Sequence, residues 1–208
     1  MRVLVSLLVV LSFVAMAQAT PIVLDNGDAG TGQQGDFYYK TGTDAPRAYQ
    51  GDNLWTHPSA TAANAYYGWQ FSGLAAGTYN VYATWVIDRN LSPYWQLANT
   101  AAPFTVVDGA IVNQGWPNWN VVPGAGTTAT TVSVNQSVNA AGFDYDGRGW
   151  FQLGTVTITG DKIGVIVSNF TSGTGPVLAD GVMVDLVPEP ATMALLGMGV
   201  VGLLRRRR

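Results

Sequence analysis

The sequence contains no cysteine and only one histidine, His57, and it has no glutamate before Glu189. Without cysteine the chain forms neither disulfide bonds nor thiolate metal sites. A serine-type catalytic triad needs a histidine base and a nucleophile, but His57 lies beside Pro58 in a polar stretch and no Gly-x-Ser-x-Gly elbow is present. His57 is therefore predicted to be a surface-loop residue. No phosphate-binding Gly-Lys-Thr/Ser loop occurs either.

Charged residues are also scarce, at 11% of the chain, which is less than half the usual share of about 25%. The ten basic residues include Arg2 and Arg205 to Arg208, and the thirteen acids include Glu189, so residues 20–187 carry five basic and twelve acidic side chains. Binding to nucleic acid or anionic lipid depends on clustered Lys and Arg. This balance predicts no nucleic-acid partner, and a surface of Thr, Asn, Gln and Ser suits neutral, hydroxyl-rich partners.

The N-terminus has the pattern of a secretory signal peptide. A basic residue precedes an apolar stretch at 3–15, and Ala17-x-Ala19 follows as a cleavage site. We expect a signal helix within residues 1–19 and a mature chain that begins at Thr20. Residues 20–187 are then one ectodomain of ordinary size.

The C-terminal residues 188–208 combine three features in a fixed order. Pro188, Glu189 and Pro190 precede an uncharged segment, residues 191–204, and the chain ends with Arg205, Arg206, Arg207 and Arg208. This order resembles the PEP-CTERM signal of Gram-negative bacteria, which is read by an exosortase-type membrane protease. The alternative is an ordinary tail anchor with a chance Pro-Glu-Pro.

Simple lengths agree with a transient anchor. An apolar helix of the fourteen residues 191–204 is about 21 Å long, whereas a hydrocarbon core is about 30 Å thick. The arginines favour the cytoplasmic side of the membrane. The resemblance therefore implies transient anchoring in the inner membrane by this short helix, followed by sorting to the cell surface or the extracellular matrix.

Between the two ends the hydrophobic pattern has a period of two, which predicts strands. Turn dipeptides such as Asn26-Gly27 and Asp180-Gly181 separate the segments. Trp69, Trp85 and Trp150 lie in strand patterns and are predicted to be core residues. The predicted strands are residues 22–25, 37–40, 65–71, 77–87, 103–107, 131–138, 150–159, 162–169 and 177–186. About nine strands in one domain predict an all-β fold, an antiparallel β-sandwich of the jelly-roll or galactose-binding-like type.

Six sequence blocks together resemble the golvesin C-terminal-like domain family. They include AAGTYNVYATW and GWFQLG, and they lie at residues 25–30, 69–85, 102–106, 134–136, 149–154 and 177–182. The resemblance covers nearly all of residues 22–187 and implies a β-sandwich module without catalytic activity. The chain departs from the family pattern at about residues 109–130, which we interpret as an insertion rich in Trp, Asn and Gly.

Two aromatic loops are candidates for carbohydrate binding. Trp116 and Trp119 flank a Pro-Asn pair that contains Asn118, and Tyr94 and Trp95 belong to a second loop. Aromatic rings offer apolar faces of fixed shape to sugar rings, so these residues predict a carbohydrate platform, with Asn118 as a hydrogen-bonding partner. An equal alternative is that both loops fold back over the ends of the sandwich as satellite cores.

Oxygen-bearing side chains form a candidate metal site. Asp25 and Asp28 lie with Asn26 in a glycine-containing turn, and Asp180 lies on a terminal segment that could run beside it. Hard oxygen ligands favour calcium. The alternative is that these side chains only set turns through Asx hydrogen bonds. Apart from this structural calcium, no cofactor is predicted.

The nearest approach to a catalytic carboxylate pair is Asp144 and Asp146. Glycosidases place two carboxylates across a cleft, whereas these two acids are two residues apart in a glycine-bounded loop. We therefore expect no catalytic activity, and we expect an exported protein that binds or organises exopolysaccharide. Two alternatives stay open: a structural or adhesive matrix protein that acts through protein contacts, and a cryptic polysaccharide hydrolase.

Overall fold

The computed structural model describes residues 20–41, 48–85, 98–114 and 120–188. Within these ranges the chain is all β apart from a 3-10 turn at Tyr49–Gly51, and every pairing between strands is antiparallel. The predicted antiparallel β-sandwich is confirmed. The strands are β1 (Ile22–Leu24), β2 (Thr31–Gln34), β3 (Tyr38–Thr41), β4 (Asp52–Thr56), β5 (Tyr66–Ser72), β6 (Gly77–Ala83), β7 (Ala102–Val107), β8 (Ile111–Gln114), β9 (Asn120–Pro123), β10 (Ala129–Val134), β11 (Phe143–Tyr145), β12 (Arg148–Ile158), β13 (Lys162–Ser168), β14 (Val177–Ala179) and β15 (Val182–Leu186).

Two five-stranded sheets face each other and enclose the core. The first has the strand order β1-β15-β6-β12-β11, and the second has the order β10-β7-β13-β5-β2. On β6, Tyr79, Val81 and Ala83 are buried, as the period-two pattern predicts. The predicted core positions of Trp69, Trp85 and Trp150 are confirmed, because each of these indoles is almost wholly buried.

A third, three-stranded sheet has the order β14-β4-β3, and its Leu54, Val177 and Leu178 belong to the same core cluster as the two larger sheets. Leu178 on β14 is held by the buried side chain of Gln136. The Oε1 atom of Gln136 accepts from the Leu178 N–H at 2.9 Å, and its Nε2 donates to the Leu178 C=O at 2.8 Å. The Gln136 amide thus makes the two hydrogen bonds that a neighbouring strand would make with β14. This sheet ends in β3, where Tyr38 and Tyr39 are exposed.

The predicted insertion contains a hairpin, β8 with β9, that pairs only with itself. It lies on the outer face of the second sheet, where Ile111 and Val121 pack with Val107 and Ile166 and approach two glycines closely. A Cβ atom built on Gly68 would lie 2.7 Å from Ile111 Cδ1, and one built on Gly164 would lie 2.3 Å from Ile111 Cγ2. The two glycines on β5 and β13 therefore make room for the hairpin.

Three of the predicted strands end differently in the structure. The predicted strands at 77–87 and 131–138 end at Ala83 and Val134. The predicted strand at 177–186 divides at Asp180-Gly181, and its halves join different sheets because β14 pairs with β4 while β15 pairs with β6. The Gly181 C=O accepts from the Thr84 N–H at 2.9 Å, so this crossing point is still tied to the chain after β6.

The predicted signal helix and the predicted C-terminal helix lie outside the described residues. Among the residues with described structure, no helix is long and apolar enough to cross a membrane. The predicted boundaries at 1–19, 20–187 and 188–208 stay predictions.

Candidate functional site

Three exposed or partly exposed rings meet on the β14-β4-β3 sheet, and we call Tyr38, Trp55 and His57 the aromatic patch. Tyr38 on β3 lies directly opposite Trp55 on β4, and their ring centroids are 4.9 Å apart. His57 follows two residues after Trp55 and therefore projects to the same side. Its ring meets the Trp55 ring edge-on at 4.9 Å and lies 6.2 Å from the Tyr38 ring.

The patch is open to solvent. Tyr38 is 44% exposed, His57 is exposed and Trp55 is half-buried. A cross-strand aromatic pair contributes roughly 0.2–1 kcal/mol to the stability of a sheet, which is less than a buried indole contributes to the stability of a core. The three neighbouring rings form an apolar surface that is open to solvent, and the exposure of His57 confirms its predicted surface position.

A depression of about 310 Å³ adjoins the patch. Among the residues that the structure describes, its lining includes hydroxyl and amide groups and one acid, Asp36. The polar lining side chains and the two patch rings that border it are Asp36, Tyr38, Thr56, His57, Ser59, Asn64 and Asn169. Rings along one edge and hydroxyl and amide groups along the other give the site both apolar contact and hydrogen bonding.

The buried side chain of Asn169 fixes the wall of this depression. Its Nδ2 donates to the His57 C=O at 3.0 Å, and its Oδ1 accepts from the N–H groups of Asn64 and Ala65 at 3.0 and 3.1 Å. The backbone C=O of Asn169 also accepts from the Ser59 N–H at 2.7 Å. A satisfied buried network of this kind rigidifies the backbone that carries the site.

The predicted metal site draws on two segments: Asp25 and Asp28 belong to the β1–β2 turn, and Asp180 follows β14. Burial, and to a smaller degree the neighbouring charges of Asp52 and Asp28, raises the pKa of Asp25 to about 7, whereas Arg148 acts in the opposite direction. Burial also raises the pKa of Asp180 well above its usual value, and the charge of Asp25 adds to this effect.

The predicted calcium set of Asp25, Asp28 and Asp180 does not assemble by itself. Within the described ranges, no group of three His, Asp or Glu side chains could hold a metal ion. Both oxygens of Asp180 accept from the Tyr49 N–H, at 3.1 and 3.2 Å. Asp28 Oδ2 accepts from the Asp25 N–H at 2.8 Å, which is the turn-setting role of an Asx side chain.

Asp144 and Asp146 lie on the β11–β12 hairpin. Tyr145 pairs with Arg148 across a two-residue loop in which Asp146 and Gly147 have φ of 51° and 71°. Positive φ at both positions is the type I′ turn that favours Asp-Gly. Both acids border a groove of about 680 Å³, and both come from this one hairpin rather than from opposite walls.

Several predicted functional residues lie outside the described residues. They are Tyr94, Trp95, Trp116, Asn118 and Trp119 of the predicted carbohydrate platform, Ala17 and Ala19 of the cleavage site, and Glu189, Pro190, Arg205, Arg206, Arg207 and Arg208 of the sorting signal. Pro188 is described and exposed. Sequence reasoning missed Tyr38 and Trp55, although aromatic residues between polar neighbours in FYYK and NLWT are a signal that could have found them.

The C-terminus matches the PEP-CTERM protein-sorting motif over residues 186–208. This match confirms the resemblance found in the sequence, and the motif implies export, processing by exosortase and sorting to the cell surface. No curated protein matches the chain. The resemblance to golvesin C-terminal-like domains stays a prediction.

Solved structures show a similar fold. A xanthan lyase from Paenibacillus is similar with a TM-score of 0.57 and 24% identity over 81% of this chain and 13% of the lyase. An exo-β-1,3-galactanase from Phanerochaete chrysosporium has a TM-score of 0.42 and 10% identity over 80% of this chain and 29% of the enzyme. A β-(1,4)-mannanase from Podospora anserina has a TM-score of 0.40 and 12% identity over 82% of this chain and 28% of the enzyme.

This chain thus spans less than a third of each of these proteins. The likeness to the lyase shows the fold alone. The chain is an exported protein in which a PEP-CTERM sorting motif follows a β-sandwich.

Proposed function

We propose that the β-sandwich is a non-catalytic module that binds neutral polysaccharide at the cell surface or in the extracellular matrix, with the aromatic patch as its contact. The observation that carries the proposal is the exposed arrangement of Tyr38, Trp55 and His57 beside a polar depression. Ligand sites combine apolar contact with a few polar groups that fix orientation, and this arrangement supplies both.

Stacking on aromatic rings suits sugars because a pyranose ring has an apolar C–H face and a polar rim. Tyr38 and Trp55 offer large apolar surfaces that lose little conformational entropy on binding. Ser59 and Asn64 in the depression offer hydroxyl and amide groups to the sugar hydroxyls. Asp36 would accept a hydrogen bond from a hydroxyl and repel a carboxylate, so the site favours neutral over anionic chains.

The fold and the sorting motif support the same proposal. Export through the PEP-CTERM route brings the module to the place where secreted polysaccharide is found. A similar sandwich is part of a xanthan lyase, in which it makes up a small share of the enzyme. We propose only the binding of polysaccharide for this chain. Asp144 and Asp146 are assigned no catalytic role, because both come from one hairpin and glycosidases place their two carboxylates across a cleft.

The test is affinity electrophoresis of the purified protein in gels that contain neutral or anionic polysaccharides. We expect neutral chains, such as galactan or glucomannan, to retard the protein. Trp55→Ala should weaken retention about tenfold, which corresponds to the loss of about 1.4 kcal/mol. Tyr39→Ala is the matched control, because Tyr39 is 54% exposed and projects from the opposite side of β3.

Three results would contradict the proposal. They are retention by anionic polysaccharides alone, equal loss in Tyr39→Ala and Trp55→Ala, and no retention in any gel by a protein whose folding is confirmed by circular dichroism. The last result would favour a matrix protein that acts through protein contacts.

A further inference from the structure

We infer that the β1–β2 turn and the start of β4 form a binding site for a calcium ion, with Asp25, Asn26 and Asp52 as its side-chain ligands. This set differs from the one that the sequence predicts, since Asp52 and Asn26 replace Asp28 and Asp180. The inference is independent of polysaccharide binding.

The three side chains come from two separate segments and meet directly. Asp25 and Asn26 immediately follow β1, whereas Asp52 opens β4. Asn26 Nδ2 donates to Asp52 Oδ1, so the carboxamide lies against the carboxylate. Asp25 is the chain neighbour of Asn26, so this contact brings the start of β4 to the turn that carries Asp25.

Two oxygens in this set are buried and have no hydrogen-bond partner: Asp25 Oδ1 and Asn26 Oδ1. Their residues are only 3% and 5% exposed. A buried acceptor without a partner is costly, and native structures leave few of them. Two such oxygens on consecutive residues, beside a third residue's carboxylate, are the donors that a cation requires.

The local charges favour a cation. Among the described residues, the acids Asp52 and Asp28 act electrostatically on Asp25, and Arg148 acts in the opposite direction. Buried carboxylates are stable when they are paired or coordinate a metal. A divalent ion bound beside the unpartnered oxygens would stabilise the charged form of these acids.

The donor set fits calcium better than other ions. All donors are hard oxygens, and calcium accepts carboxylate, carboxamide, main-chain and water oxygens in a flexible shell of six to eight. Magnesium demands a tighter octahedral arrangement. Acidic side chains alone do not complete a metal site in the described part of the chain, and the Asn26 carboxamide is the donor that adds to the two carboxylates. With two acids among the ligands we expect a Kd of about 0.1–1 mM, as in extracellular modules.

The test compares calcium binding by the purified full chain and four variants, using calorimetric titration and thermal unfolding. In calcium at about 1–10 mM, we expect the Tm of the unaltered protein to rise by about 3–5 °C over its value in chelator, with a smaller rise in magnesium. Asp25→Asn and Asp52→Asn should each weaken calcium binding at least tenfold. Asp161→Asn, at an exposed acid between β12 and β13, should bind calcium as the unaltered protein does.

Because Asp52 is only half-buried, we expect Asp52→Asn to fold. This variant therefore tests the site even if Asp25→Asn does not fold. Absence of heat and of a Tm shift with calcium in the unaltered protein overturns the inference. So does calcium binding that persists in Asp52→Asn, or that is lost in Asp144→Asn, since the latter would place the ion at the β11–β12 groove. Because no polysaccharide is present, these outcomes are distinct from failure of the proposed function.

Discussion

Trp69 and Trp55 both lie in β-strands, but they have different surroundings. Trp69 on β5 is wholly buried in the core, where its ring stacks with Phe104 of the same sheet at 6.4 Å and contacts Tyr67 of its own strand at 4.8 Å. Trp55 on β4 has Tyr38 and His57 on its sides and stays half-exposed. The comparison shows that the sheet to which a strand belongs decides whether an aromatic residue stabilises the fold or is available to a ligand.

The largest effect is expected from truncating the two indoles. Trp69→Ala should lower the free energy of unfolding by about 3–5 kcal/mol, because it leaves a large cavity between the sheets. Trp55→Ala should lower it by less, about 1–2 kcal/mol, because this half-buried indole packs against the edge of the core, while it weakens polysaccharide retention. Urea unfolding followed by circular dichroism measures both values. Equal losses of stability would show that the aromatic patch is part of the core.

The next effect is expected from the amide that holds the patch in place. Asn169→Ala leaves the N–H groups of Asn64 and Ala65 and the C=O of His57 without their partner, at a cost of about 1–3 kcal/mol. Asn169→Asp keeps the acceptor for the Asn64 and Ala65 N–H groups but sets a buried carboxylate oxygen against the His57 C=O and Asn64 Oδ1, so it should also lose stability and bind sugar more weakly. Unchanged retention in both variants would show that the wall of the depression has no role in binding.

A third change tests the hairpin that covers the outer face of the second sheet. Gly164→Ala places a methyl group 2.3 Å from Ile111 Cγ2, and we expect a loss of about 1–3 kcal/mol as the β8–β9 hairpin is displaced. Gly32→Ala on β2 of the same sheet is the control, since a Cβ there meets no atom within 4 Å. Thermal unfolding measures both variants, and equal Tm values would contradict the packing of the hairpin on the sheet.

The smallest effect is expected from the buried carboxyl group of Asp185. Burial raises the pKa of Asp185 on β15, so the unfolded chain loses this proton at a lower pH than the folded protein does. Stability associated with Asp185 is therefore full below the unfolded pKa and falls as the pH rises through the folded pKa. Asp185→Asn should raise the Tm at pH 7 and not at pH 3, whereas Asp36→Asn at the exposed depression should change neither. A Tm gain of equal size at both pH values would exclude the carboxylate as its cause.

The fold follows from the sequence where alternation is strong. The strands at 77–83 and 162–168 carry apolar residues at every second position, and the three core tryptophans occupy such positions in their predicted strands. This alternation predicts most of the sandwich. The strands β2, with sequence TGQQ, and β4, which begins with Asp52 and Asn53, are too polar to be recognised. They form because neighbouring strands pair with their backbones, which is a tertiary effect that overrides local preference.

The candidate sites were less predictable because both depend on register between distant segments. Tyr38 and Trp55 meet only because β3 and β4 pair in one register, and a slip of one residue would reverse the faces. The meeting of Asn26 with Asp52 depends likewise on how β1 and β4 are placed by their separate sheets. The turn at Asp25 indicated an oxygen-rich site, but no local pattern linked it to the start of β4.

The most direct test of the account uses His57, because it is the one histidine in the chain and its ring belongs to the aromatic patch. The Cε1–H signal of this ring in a carbon–proton NMR spectrum reports on the patch without interference from other histidines. The account predicts that this signal shifts progressively and to saturation when a neutral oligosaccharide is added, and that Trp55→Ala abolishes the shift. Saturable binding of the same oligosaccharide with an unmoved His57 signal would contradict the assignment of the aromatic patch as the sugar-binding site.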